Sequence, residues 1–87
     1  MPKQSAKNPP EKTFRMGLVS ASVFLNEVET DDGVREIRNV NLQRRYKDNG
    51  DWKSTTSFGL TDLPLAIRVL QLAQQHIEGI EAEVQTS

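Results

Sequence analysis

The sequence predicts an α+β domain: a three-stranded antiparallel meander, then one C-terminal helix packed on one sheet face, with the helix pairing two copies into a homodimer. Three observations carry this. Apolar and polar residues alternate over much of residues 14–58, the period of a half-buried strand. The turn-forming pairs Asp32-Gly33 and Asn49-Gly50 interrupt that alternation. From Thr61 onward the apolar period becomes that of a helix.

A chain of 87 residues makes one domain at most, and so small an interior needs tight packing or a partner to be stable. There is no cysteine, so neither a disulfide framework nor thiolate chemistry is available, which fits a cytoplasmic location. The start, Met1-Pro-Lys-Gln-Ser, is polar and does not read as a signal peptide. The apolar runs are too short to span a bilayer, so no membrane association is expected. The net charge of −1 hides an asymmetry: residues 1–60 sum to +2 and residues 61–87 to −3. A basic front permits a polyanionic partner without requiring one.

Residues 1–12 hold three lysines and three prolines and read as a flexible basic arm. A single βββα domain is expected over 13–80, with an acidic tail over 81–87. The first strand spans 14–29, with Val19, Ala21, Val23 and Leu25 on a dry side and Ser20, Ser22, Phe24 and Asn26 on the other. The parity of Phe14, Met16 and Leu18 disagrees with this, so Gly17 reads as a bulge. Thr30–Gly33 is a turn. The acids around it, Glu27, Glu29, Asp31 and Asp32, lack the spacing and closing glutamate of a calcium loop, so no metal is expected there.

The second strand covers 34–47 and the third 52–58. Pairing Tyr46 with Trp52 places Val40, Leu42, Tyr46, Trp52 and Phe58 on the dry face. Asn41, Gln43, Arg45, Lys53, Thr55 and Ser57 then form the wet face. Thr61 is the expected N-cap of the helix, Pro64 falls harmlessly in the first turn, and Gly79 suits the C-terminal cap. Leu63, Ile67, Leu70, Ala73 and Ile77 should pack on the sheet. A second stripe of Leu65, Ala66, Val69 and Leu72 exceeds what one sheet covers, so Leu65, Val69 and Leu72 are expected to form the dimer contact.

Catalytic material is scarce. The single histidine, His76, lies on a largely apolar helix; no glycine-rich phosphate loop and no nucleophile elbow occur, so the chain reads as a non-enzyme without a cofactor. The wet face is the remaining candidate. Arg45, Lys53, Arg44 and Lys47 would follow phosphates, with Arg38, Arg15 and Lys12 near the margins. Gln43, Asn41 and Thr55 would meet sugars and bases. Phe24 would stack, joined by Tyr46 or Trp52 if these lie beyond the helix. An ordinary solvated sheet face has the same composition, and both readings stand at this level.

The runs "GLVSASVFLNE", "VNLQRRYKDNGDWKSTTSF" and "TDLPLAIRVLQLAQQHI", within residues 14–78, resemble small uncharacterised bacterial and phage strand-strand-strand-helix proteins. The architecture is similar to that of the Whirly, Pur-alpha and positive-cofactor-four single-strand-binding proteins, which use an open sheet face and pair through helices. The chain departs from these in reading as three strands and in lacking a Whirly-type Lys-Gly-Lys-Ala motif. The resemblance implies single-stranded nucleic acid, DNA above RNA, as the partner. The alternative is a protein–protein adaptor, such as a phage or mobile-element accessory factor that grips a host protein.

Overall fold

A computed structural model describes residues 9–86, with side chains through residue 81. Four strands form one antiparallel sheet in the order β1-β2-β3-β4: β1 (Lys12–Met16), β2 (Val19–Thr30), β3 (Gly33–Asp48) and β4 (Asp51–Thr55). A 3₁₀ turn, Leu60–Asp62, leads into the helix α1 (Leu63–Thr86). The α+β class with one C-terminal helix is as the sequence predicts, but the sheet has four strands rather than three.

The extra strand comes from Gly17. The segment expected to be one bulged strand is a hairpin, in which Met16 pairs with Val19 across Gly17-Leu18. Gly17 has φ +61°, and Leu18 is not among the positive-φ residues, the pattern of a turn with glycine at its first central position. The discordant parity of Phe14 and Met16 follows directly: they lie on a returning strand, where Phe14 stands opposite Ala21. Pro9 and Pro10, which have no N–H to donate, mark where β1 stops following β2.

A second correction concerns β4. Asn49 and Gly50 both have positive φ, +52° and +85°, and form a two-residue turn closed by Asp48 and Asp51. That turn pairs Lys47 with Trp52, Tyr46 with Lys53 and Arg44 with Thr55. The expected Tyr46–Trp52 register is therefore off by one, and every β4 side chain changes face. The strand also ends at Thr55, short of the predicted 58.

The core is made of small side chains. Val19, Ala21 and Val23 of β2 are buried against Ala66, Val69 and Ala73 of α1, and Phe14, Val40, Leu42, Phe58, Leu65 and Ile77 surround them. Alanines on both layers let the helix lie close to the central strand. This splits the expected sheet stripe: Ala73 and Ile77 pack at the core as expected, and the rest of that stripe does not. Leu63, Ile67 and Leu70, expected on the sheet, are 42%, 56% and 40% exposed, whereas Val69, expected at a dimer contact, is fully buried. Leu65 packs against the core, and Leu72 is partly buried.

Two helix boundaries also differ. The side chain of Asp62, not Thr61, accepts the Gly59 N–H at 2.9 Å and holds the 3₁₀ turn that starts the helix. The backbone stays helical through Gly79 to Thr86, so residues expected to form the tail continue α1. The expected basic arm lies outside the described residues up to residue 8. No helix among the described residues is long and apolar enough to cross a membrane.

Candidate nucleic-acid interface

Directly paired residues of an antiparallel sheet share a face. The register therefore sorts every strand side chain to the helix side or to the open side. The helix side takes the acids of the strands: Glu27, Glu29, Glu36, Asp48 and Asp51. The open side takes Arg15, Arg35, Arg45 and Lys47. Among the described residues, no acidic strand side chain stands on the open side. A chain of net charge −1 thus presents one sheet face with cations and no strand carboxylate.

Trp52 stands at one end of this face, 52% exposed. The Arg45 guanidinium carbon lies 5.0 Å and the Lys47 ammonium 5.4 Å from its ring centroid. Both lie over the ring within cation–π range, so the two cations are held against a half-exposed aromatic surface. The middle of the face is polar and carries one charge, Arg15. Thr13, Ser22 and Asn41 form one row across β1–β3, with Thr13 Oγ1 and Ser22 Oγ 3.1 Å apart, and Arg15, Ser20 and Gln43 form the next. Phe24 lies beside Asn39 farther along the same face, where the β2–β3 hairpin continues past its neighbours.

Of the ten residues expected in the site, Arg45, Lys47, Phe24, Gln43, Asn41 and Trp52 share the open face. Trp52 reaches it through the corrected register, having been expected on the dry side. Arg44, Tyr46, Lys53 and Thr55 lie on the opposite face. Lys53 is paired with Asp48 at 3.1 Å. Arg44 pairs with Asp62 at 3.2 Å, donates to the Ser57 carbonyl at 3.1 Å and lies 5.9 Å from the centre of the half-buried Tyr46 ring. These are contacts that hold β4 and the helix start in place, and they leave Arg44 turned away from the open side. Arg35 and Ser54 belong to the open face and were missed. Alternation from Asn41 along β3 reaches Arg35, and the Asn49-Gly50 turn length fixes Ser54 opposite Arg45.

Where β4 stops, an open groove of about 620 Å³ lies between it and β3, lined by Asn41, Leu42, Gln43, Ser54, Thr55 and Thr56.

Two other expected margin residues lie on the helix side. Lys12 lies 5.8 Å from the centre of the Phe14 ring. Arg38 is held by Glu11, whose carboxylate accepts from Arg38 Nε and Nη2 at 3.1–3.2 Å. The same carboxylate lies 2.7 Å from His76 Nε2, so that ring nitrogen carries the proton, and the His76 ring meets Phe14 edge-on at 6.0 Å. His76 therefore ties α1 to the residue that opens β1. The Arg38 hydrogen bonds, and then that of His76, hold the Glu11 carboxyl below its ordinary value of 4.5. A carboxyl depressed in the folded state contributes stability that is present above its unfolded pKa and is lost as pH falls through the folded one. Glu11→Gln is accordingly expected to lower the melting temperature at neutral pH by a few degrees, with the gap to wild type closing below pH ~4.5. Thermal melts of both proteins across that range check this; a gap that stays constant into acid would refute it.

Among the described residues, no three His, Cys, Asp or Glu side chains are grouped so as to hold a metal ion. No protein-family model matches the chain, and no curated protein or solved structure matches it.

Proposed function

We propose that the protein binds single-stranded nucleic acid, DNA above RNA, on the open face of its sheet. The observation that carries this reading comes from the register: every strand acid falls on the helix side, together with Lys12, Arg38, Arg44 and Lys53, which leaves Arg15, Arg35, Arg45, Lys47 and an exposed tryptophan on the open side with no strand carboxylate. Arg45, Lys47, Arg15 and Arg35 take phosphates. Trp52 stacks on one base and Phe24 on another farther along. The amides and hydroxyls between them contact sugars and base edges. A duplex hides its base faces, so it reaches only the cations and binds more weakly.

Trp52 is the single tryptophan, so its fluorescence reports stacking directly. Titration with oligo-dT at low salt should quench it and raise the anisotropy of a labelled strand. Absence of binding at tens of micromolar ends the reading. Parallel titrations with single- and double-stranded DNA and RNA rank the partners.

The protein is further proposed to act as a homodimer. The contact is moved from Leu65, Val69 and Leu72 to the stripe that the fold leaves exposed. Leu60, Leu63, Ile67 and Leu70 recur at spacings of three, four and three residues, and Leu60 is 83% exposed. Such a stripe suits a second helix packed alongside. The adaptor reading keeps one supporting observation, the outer edge of β3 that goes unpaired beyond Arg44. Capture of one protein that survives nuclease treatment would favour it.

A further inference from the structure

We propose that the groove beside the end of β4 is a subsite for one unstacked nucleobase, read at its hydrogen-bonding edge. The proposal rests on the reading of the open face as a single-strand site. Its own support is the chemistry of the groove. The Arg45 N–H bonds to the Leu18 carbonyl, so odd-numbered residues of β3 turn their backbone groups toward β2. Even-numbered residues turn theirs toward β4, and the last of these pairs is Arg44 with Thr55. Leu42, the next even position, therefore directs its N–H and C=O into the groove that it lines. Asn41 and Gln43 flank it, each with an amide that both donates and accepts, and Ser54 and Thr56 add hydroxyls.

This set suits a planar, neutral, polar group with donors and acceptors side by side. No charged side chain lines the groove, so it is not built for a phosphate. An added peptide strand would bond to the same Leu42 backbone groups, so peptide binding without base discrimination would speak for that occupant instead. The volume of about 620 Å³ is within the range of small-ligand clefts. The outer wall is fixed: Thr55 Oγ1 accepts the Ser57 N–H at 3.1 Å, and Arg44 holds the Ser57 carbonyl at 3.1 Å and Asp62 at 3.2 Å.

Position relative to Trp52 completes the case. Ser54 is two residues beyond Trp52 on the same face, about 7 Å along the strand. Arg45 pairs across from Ser54 while its guanidinium lies over the Trp52 ring. One base stacked on Trp52 would deliver its neighbour to the groove, with Arg45 beside the phosphate that joins them.

The test compares dT, dC and dA octamers by anisotropy, using the full chain and its variants. The wild type is expected to separate the strongest from the weakest by at least about fivefold, the low end of a bidentate base contact. In Asn41→Ala/Gln43→Ala the spread should collapse below about twofold while the salt slope is unchanged. Trp52→Ala should weaken all three octamers and keep the spread. Two results would overturn the subsite: no spread in the wild type, or a spread that survives the double variant, which includes an equal loss for all three bases. If no oligonucleotide binds any of these proteins, the reading of the open face falls together with the subsite. Binding without discrimination removes the subsite alone. Asn41 and Gln43 are exposed, so the double variant is expected to stay folded, and a thermal melt checks this.

Discussion

Arg45→Glu with Lys47→Glu is expected to abolish binding of single-stranded oligonucleotides, while Lys53→Glu binds as the wild type does. The three residues lie within nine positions of one another and look alike in sequence. The register separates them. Arg45 and Lys47 project from the open face, where their close neighbour is the Trp52 ring. Lys53 projects from the other face onto Asp48 at 3.1 Å. Each phosphate neutralised on a single strand contributes about −0.7 to the slope of log affinity against log salt, so engagement of Arg15, Arg35, Arg45 and Lys47 would give about −2.8. Removing two of them would halve that slope to about −1.4, and the two new carboxylates would repel the strand besides. Anisotropy between about 50 and about 200 mM salt reads the slopes of the wild type and Lys53→Glu, and the loss of binding in the double variant. The fold should tolerate the change, because both sites are exposed and lose only cation–π contacts worth about 0.5–1 kcal/mol each. Retained binding in the double variant, or an equal loss in Lys53→Glu, would show that the strand does not lie on the open face.

The parts of this site that sequence reveals are those carried by β3. Val40 and Leu42 anchor one side of that strand, and strict alternation then sends Asn41, Gln43, Arg45 and Lys47 to the other. The same alternation reaches Arg35 and places Glu36 opposite Glu27 on the helix side, so the lack of strand acids on the open side was legible once the hairpin was counted. β4 was not legible by hydrophobicity. It is five residues long, and its one large apolar side chain faces outward. Placing Trp52 inside because it is aromatic shifts the register by one, whereas the Asn49-Gly50 pair already calls for a two-residue turn. Gly17 shows the same conflict: the change of parity across it marks a reversal of the chain, and a bulge explains parity equally well. On α1, periodicity placed Ala73 and Ile77 on the sheet side but not the rest of the packed face. Both stripes are apolar at helical spacing. The selection depends on size, because the central strand offers Ala21 between two valines and takes Ala66, Val69 and Ala73 rather than the larger Ile67 and Leu70.

That selection yields the second large effect, a pair of helix variants with opposite outcomes. Val69→Asp is expected to unfold the protein, and Ile67→Asp to leave it folded and split the dimer. The positions are two residues apart, so they lie on different sides of the helix. Val69 is 0% exposed between α1 and β2, and a carboxylate there would be desolvated without a partner. The cost is several kcal/mol, even if the group protonates to avoid part of it. Domains have about 5–15 kcal/mol in total, and one of this size lies toward the low end. Ile67 is 56% exposed, so the same substitution there meets water and loses at most about 0.7 kcal/mol of helix propensity. Its effect falls on whatever covers Leu60, Leu63, Ile67 and Leu70. Circular dichroism reads the fold and sedimentation reads the assembly. The expected pattern is an unfolded Val69→Asp chain, a folded monomer for Ile67→Asp and a dimeric wild type. A wild type that sediments as a monomer at high micromolar concentration removes the dimer. Unfolding of both variants would mean that Ile67, too, supports the core, and a folded Val69→Asp chain would overturn the packing of α1 on β2.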